Sequence, residues 1–156
     1  MGIYQRTIKR LGHTRGFASI MKRIAPSIDR TFYRLTGGRR VFADGVIPTF
    51  ILVHAGARSG REYRTPLTYI RVGDGFALAG TNFGQAHHPG WSKNLMANPE
   101  ATVELGGREI PVRARRVDER EKTELWPRFV EIWPAYDTYL KRSGRNIRVF
   151  VLEPRA

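Results

Sequence analysis

The chain has 156 residues, a hydrophobic fraction of 41% and no cysteine. That is enough for one packed domain, and it excludes a disulfide framework, a thiolate zinc site and a cysteine nucleophile. The formal charge of +13 calls for an anionic partner such as nucleic acid, lipid headgroups or a multiply charged small molecule, and residues 1–40 hold +9 of it through ten Lys and Arg against Asp29.

No run approaches the roughly 20 apolar residues of a membrane span, and Arg6, Lys9, Arg10 and Arg15 interrupt any signal-peptide stretch. The expected location is the cytoplasm, with peripheral attachment to the inner face of the membrane as an option. From Phe17 to Leu35, the apolar residues Phe17, Ile20, Met21, Ile24, Ile28, Phe32 and Leu35 recur at three- and four-residue steps among Lys22, Arg23, Arg30 and Arg34. This predicts a basic amphipathic helix, kinked or restarted at Pro26, which packs on the core or lies on anionic lipid.

After Gly37-Gly38 the pattern turns to strands. Phe50–His54 is a short apolar run, and Thr65–Val72 alternates loosely. Gly73-Asp74-Gly75 turns into Phe76–Thr81, and Gly106-Gly107 joins Glu100–Leu105 to Arg108–Val117. Asn146–Leu152 is a final strand. Pro89–Ala97 reads as a helix stopped by Asn98-Pro99. A second helix opens at Asp118 with Glu121 three residues on, and carries the stripe Leu125, Trp126, Phe129, Val130, Trp133. The sum is an α+β fold: a closed or half-open barrel of about six mostly antiparallel strands with flanking helices. It divides into a basic N-terminal segment, 1–40, and a barrel domain, 41–156.

Three segments carry chemistry. Gly56-Ala57-Arg58-Ser59-Gly60-Arg61-Glu62-Tyr63-Arg64 joins two strands, and combines a close-turning backbone with guanidinium forks and a hydroxyl, the mixture that binds phosphate or carboxylate. It lacks the Gly-Lys-Ser/Thr of a Walker loop, and a solvated basic hairpin is its even alternative. Asn82–Trp91 enters a helix whose exposed amides favour an anion, with Trp91 and Asn94 placed to share a face and to present a flat apolar surface and an amide to a ligand. Adjacent His87 and His88 diverge on extended chain, so no metal is expected, and His54 reads as a satisfied core or barrel-wall histidine. Trp133, Tyr136 and Tyr139, at three-residue steps around Pro134, read first as core packing and second as the wall of a pocket for a planar substrate. No catalytic triad or carboxylate pair is evident, which leaves hard chemistry to an organic cofactor.

These residues resemble the deazaflavin (coenzyme F420)-dependent nitroreductase family, split-barrel oxidoreductases of actinobacteria. The landmarks are Gly56–Gly60 with Thr65-Pro66-Leu67, and His88-Pro89-Gly90-Trp91 with Asn94-Leu95 and Ala97-Asn98-Pro99. Trp133–Tyr139 and Val151-Leu152-Glu153-Pro154 complete the series. The resemblance implies a barrel groove holding reduced F420, with FMN or a tetrapyrrole as the lesser alternatives and a nonenzymatic membrane- or nucleic-acid-binding module as the rival class. Ala57, Arg58 and Ser59 would hold the cofactor's phosphate and acidic tail. Tyr63, Arg64, Thr65, Pro66, Leu67 and Thr68 would line ring and linker, with Ala79, Gly80, Thr81 and Asn82. Gly90, Trp91, Ser92, Lys93 and Asn94 would close the pocket. Trp133, Tyr136, Tyr139 and Thr68 would face a small planar electrophile, with Tyr136 and Thr81 as catalytic candidates. The implied reaction is hydride transfer to a quinone, nitroaromatic or activated alkene. Ala57 and Arg58 stand where the family shows Arg-Lys, Tyr63 where it often has Arg, and Trp133 replaces a usual Tyr, so acceptor range is expected to differ. Nucleic acid is not an expected partner. A homodimer is compatible with open barrel edges.

Overall fold

The computed structural model describes residues 47–156. The basic helix expected over Phe17–Leu35, and the N-terminal segment as a whole, lie outside them.

Seven strands form one antiparallel sheet: β1 (Thr49–Ala55), β2 (Glu62–Thr68), β3 (Ile70–Val72), β4 (Gly75–Ala79), β5 (Glu100–Leu105), β6 (Arg108–Arg116) and β7 (Val149–Pro154). Their spatial order is β2-β1-β5-β6-β7-β4-β3. The outermost strands, β2 and β3, are neighbours in the chain with only Tyr69 between them, so the two sheet edges converge there and the sheet must curl into a half-closed barrel. Tyr69 fills the seam. Its ring stacks on Phe50 at 4.9 Å and meets Phe76 edge-on at 5.2 Å. The expected strand Thr65–Val72 is therefore two strands, seven in all rather than six. The final strand also starts three residues later than expected, because Asn146, Ile147 and Arg148 tie the loop before β7 to neighbouring elements instead of joining the sheet.

Alternation decides the two sheet faces. Phe50 and Leu52 of β1, Phe76 and Leu78 of β4, Val103, Val112, Phe150 and Leu152 fill the barrel interior. Ala77, Ala79, Val149 and Val151 point outward and are covered by two helices, α2 (Glu119–Ile132) and α3 (Ala135–Ser143). Helix α1 (Gly90–Ala97) plugs the interior with Trp91 and Leu95, four residues apart on one face.

Local chemistry fixes the ends. Asp118 caps α2 by accepting from the Glu121 amide at 2.8 Å, as the spacing foretold. The Gly106-Gly107 turn has φ of 59° and 78°, which two glycines alone adopt without strain. Helix α3 is absent from the sequence reading. Pro134 looks like a breaker there, but it sits at the N-cap, where proline is tolerated, and Gly144 ends the helix at φ 61°.

Candidate functional site

The arginine-bearing turn meets the middle and the C-terminal end of α1, through Asn94 and the C-cap residue Asn98. Within the turn, the Gly60 amide donates to Gly56 O at 3.0 Å, and the Gly56 amide to Arg61 O at 2.8 Å. A Cβ at Gly56 would lie 2.7 Å from Ser59 Oγ and 2.9 Å from Tyr63 Cε2, so a side chain there must push both aside. Across from it, Asn94 Oδ1 accepts from the Ala57 amide at 2.9 Å, and Asn98 Nδ2 donates to Gly56 O at 3.3 Å. Asn94 Nδ2 faces His54 Nδ1 at 3.1 Å, and His54 Nε2 faces Thr65 Oγ1 at 2.9 Å. Because the Ala57 N–H can only donate, Oδ1 is the acceptor and Nδ2 the donor. His54 Nδ1 must then accept, and Nε2 carries the hydrogen. Burial pushes the His54 pKa down to about 4, so the ring stays neutral as this chain requires. His54 is thus the satisfied barrel-wall histidine expected from its apolar strand.

This arrangement leaves a donor set open. The amides of Arg58 and Ser59 make no hydrogen bond to the described residues, and both residues are exposed. Arg58 and Arg61 face no carboxylate among the described residues. Arg64 is different: its guanidinium grips both oxygens of Glu104 and lies 3.8 Å from Glu62. Two bare amides on a turn that also carries two guanidiniums without a carboxylate partner make a donor set of the kind that binds phosphate or carboxylate. A concavity of about 340 Å³ lies beside the turn, lined by His54, Ala55, Gly60, Glu62, Glu100 and Arg155 among others; it carries two carboxylates and suits a polyanion poorly. No cluster of His, Asp or Glu among the described residues could hold a metal.

The candidate residues of β2 divide between two faces. Tyr63, Thr65 and Leu67 pair with His54, Leu52 and Phe50 and face inward, while Arg64, Pro66 and Thr68 face outward. Tyr63 is 45% exposed and stacks on His54 at 5.8 Å, so it offers a flat ring beside the open amides. Trp91 does not present the flat surface expected of it. Its ring is 8% exposed and meets Phe150 at 5.7 Å, because Trp91 and Leu95 form the face that plugs the barrel. On the same helix Gly90 and Lys93 are exposed, Ser92 is fully buried, and Asn94 is committed to Ala57 and His54.

Ala79, Gly80, Thr81 and Asn82 leave β4 and run against the start of α1, where a Cβ on Gly80 would lie 3.6 Å from Pro89 Cγ. The sequence reading missed the cations that gather here. Arg148, Arg145, Arg116 and Lys93 act with burial, the largest cause, to lower the pKa of His88. They come from two elements, β6 and α1, and the loop before β7, so no local spacing announces them.

Trp133, Tyr136 and Tyr139 come together, as both sequence readings require. They are 8%, 6% and 2% exposed, within the cluster that α2 and α3 build on the outer sheet face. Trp133 Nε1 donates to Tyr139 Oη at 3.4 Å. The Tyr136 hydroxyl is hydrogen-bonded to Thr68, and burial pushes its pKa well above the usual phenol value.

The model of the F420H(2)-dependent quinone reductase family matches residues 27–154. A Mycobacterium tuberculosis protein, named provisionally as an F420H(2)-dependent quinone reductase, is 34% identical over 109 residues, 70% of this chain and 92% of its own length. Two solved structures share the architecture. An F420H2-dependent reductase is 31% identical with a TM-score of 0.63, over 68% of this chain and 94% of its own. A domain-swapped dimer is 28% identical with a TM-score of 0.65, over 80% and 95%.

Proposed function

Because the chain belongs to the F420H(2)-dependent quinone reductase family, we propose an assignment of its residues to the two halves of that activity, cofactor binding and quinone reduction. The protein is an oxidoreductase that uses reduced coenzyme F420 to reduce quinones. When bound, the reduced deazaflavin supplies a hydride, and the quinone leaves as the quinol after gaining that hydride and one proton.

One observation carries the assignment: the Ala57 amide bonds Asn94 at 2.9 Å, which ties the arginine turn to α1 while the amides of the exposed Arg58 and Ser59 stay unbonded to the described residues. Arg58, Arg61 and these amides hold the anionic end of the cofactor, and Arg64 holds Glu104 instead of the ligand. Tyr63 lends a flat ring at the mouth, while Thr65 is spent on His54. Ala79–Asn82, Gly90 and Lys93 form the opposite wall, with Trp91 behind it as support. Thr68 faces the acceptor side, its hydroxyl oriented by Tyr136. Catalysis then comes from holding donor and acceptor at contact distance in a dry groove, with Thr81 and Thr68 near the charge that develops. A buried phenol with a raised pKa is a poor proton source, so Tyr136 orients and solvent supplies the proton.

The segment 1–40, at +9, is the part suited to an anionic lipid surface, where lipid-soluble quinones reside. No helix among the described residues is long and apolar enough to cross a membrane. A homodimer is the proposed assembly, supported by the domain-swapped dimer of similar fold.

Fluorescence titration with F420 and with FMN tests the cofactor assignment. Wild-type protein binds F420 more tightly, and the R58A/R61A double variant loses about 100-fold in affinity, at roughly 1.5 kcal/mol per charged hydrogen-bonding group. Tighter binding of FMN, or no loss in the double variant, would overturn it.

A further inference from the structure

The chain leaves β4 through a turn its own residues do not favour. Asn82 and Phe83 sit at φ 47° and 54°, and Gly84 follows at 76°. Two side-chain-bearing residues in succession in the left-handed region need support from outside the turn.

That support is Arg145, in the loop between α3 and β7. Its Nη2 donates to Gly80 O at 2.9 Å and Thr81 O at 3.0 Å. Its Nε donates to Gln85 O at 3.1 Å, and its Nη1 meets His88 Nδ1 at 3.0 Å. One planar fork thus fastens both sides of the turn, and no carboxylate among the described residues competes for it. A lysine, with one nitrogen on a flexible stem, cannot reach all four acceptors in that plane.

We propose that Arg145 is a positioning residue for the cofactor: by fastening Gly80, Thr81, Gln85 and His88 it holds Ala79–Asn82 in the shape that lines the deazaflavin, and His88 makes that grip sensitive to acid. The inference rests on the reading above that Ala79–Asn82 is a wall of the cofactor groove.

His88 accepts from Nη1 only while its Nδ1 is unprotonated. Protonation removes the acceptor and sets a second cation against the guanidinium. Among the described residues the charged groups that act on His88 are all basic: Arg145 and Arg148 in the loop before β7, Arg116 at the end of β6 and Lys93 on α1, with His87 adjacent in the chain. Burial and these charges hold its pKa below the ordinary histidine value, so the grip persists at neutral pH and fails on the acid side.

The test uses full-length wild type, R145K and H88Q. Amide hydrogen exchange without cofactor reads the turn itself, and fluorescence titration with reduced F420 reads affinity from pH 7.5 to 5.5. In R145K, the Gly84 and Gln85 amides should exchange about tenfold faster while those of β5 and β6 are unchanged, and Kd should rise about tenfold at pH 7.5. In H88Q the amide oxygen accepts from Arg145 without titrating. The ratio of wild-type to H88Q Kd should therefore rise as pH falls, the ligand's own ionisations cancelling in the comparison. Should R145K fold poorly, that ratio carries the test alone. A wild-type-like Kd in R145K, even with faster exchange, would overturn the positioning role, and a pH-independent ratio would overturn the part given to His88. Wild-type protein that binds no reduced F420 would overturn the proposed function, and this inference with it.

Discussion

Acidification tests the hydrogen-bond chain that joins the arginine turn to the barrel. His54 is 4% exposed, between Asn94 at 3.1 Å and Thr65 at 2.9 Å, and burial lowers its pKa from 6.5 to about 4. In the unfolded chain it takes a proton near 6.5; in the folded protein it resists. Since the folded pKa is the lower one, the unfolded state binds more protons between the two values, and stability falls as pH drops through that window. At about 1.4 kcal/mol per pH unit, the loss attributable to His54 between pH 7 and pH 4.5 is about 2 kcal/mol. Urea unfolding at both pH values, on wild type and H54Q, isolates it. Glutamine offers an acceptor and a donor but does not titrate, so the carboxylates shared by both proteins cancel. Wild type should lose about 2 kcal/mol more than H54Q on acidification. Equal losses would refute the claim that His54 is held neutral by burial inside this chain of bonds.

Three further outcomes follow from the geometry. Gly56→Ala sets a Cβ 2.7 Å from Ser59 Oγ and 2.9 Å from Tyr63 Cε2. Both neighbours are side-chain ends that can swing away, so the stability cost should stay near 1 kcal/mol while the displaced Ser59 and Tyr63 raise the Kd for F420 about tenfold; thermal melts and titration separate the two. Tyr136→Phe removes the hydroxyl bonded to Thr68, and should raise the KM for quinone several-fold without shifting the pH profile of kcat. A lost basic limb in that profile would make Tyr136 the proton donor instead. Asp118→Ala deletes the 2.8 Å cap on Glu121, and should cost about 1 kcal/mol in urea unfolding with no change in cofactor affinity.

What the sequence showed and what it hid follow from the range of each interaction. Pro89 before α1, Asn98-Pro99 after it, the Gly106-Gly107 turn and the Asp118 cap act within a few residues, so spacing revealed them. The break at Tyr69 was invisible, because alternation continues through it and only the strand order, with β2 and β3 at opposite edges, explains why the chain changes partners there. Helix α3 hid behind Pro134, which marks a helix start as readily as a stop. Trp91 looked like a ligand platform because a helix start says nothing about which side meets the core. Arg145 carried no signal at all. Its acceptors are backbone carbonyls and a histidine 57 to 65 residues earlier, and a backbone acceptor leaves no trace in residue type.

The open amides of Arg58 and Ser59, and the guanidiniums beside them, matter only if they serve quinone reduction. Absorbance at 420 nm follows reoxidation of reduced F420 by a soluble quinone, without oxygen, in the presence of wild type or R58A/R61A. The account predicts turnover by wild type and a double variant whose KM for reduced F420 rises about 100-fold while kcat falls far less. No turnover by wild type, or a double variant with an unchanged KM, would contradict it.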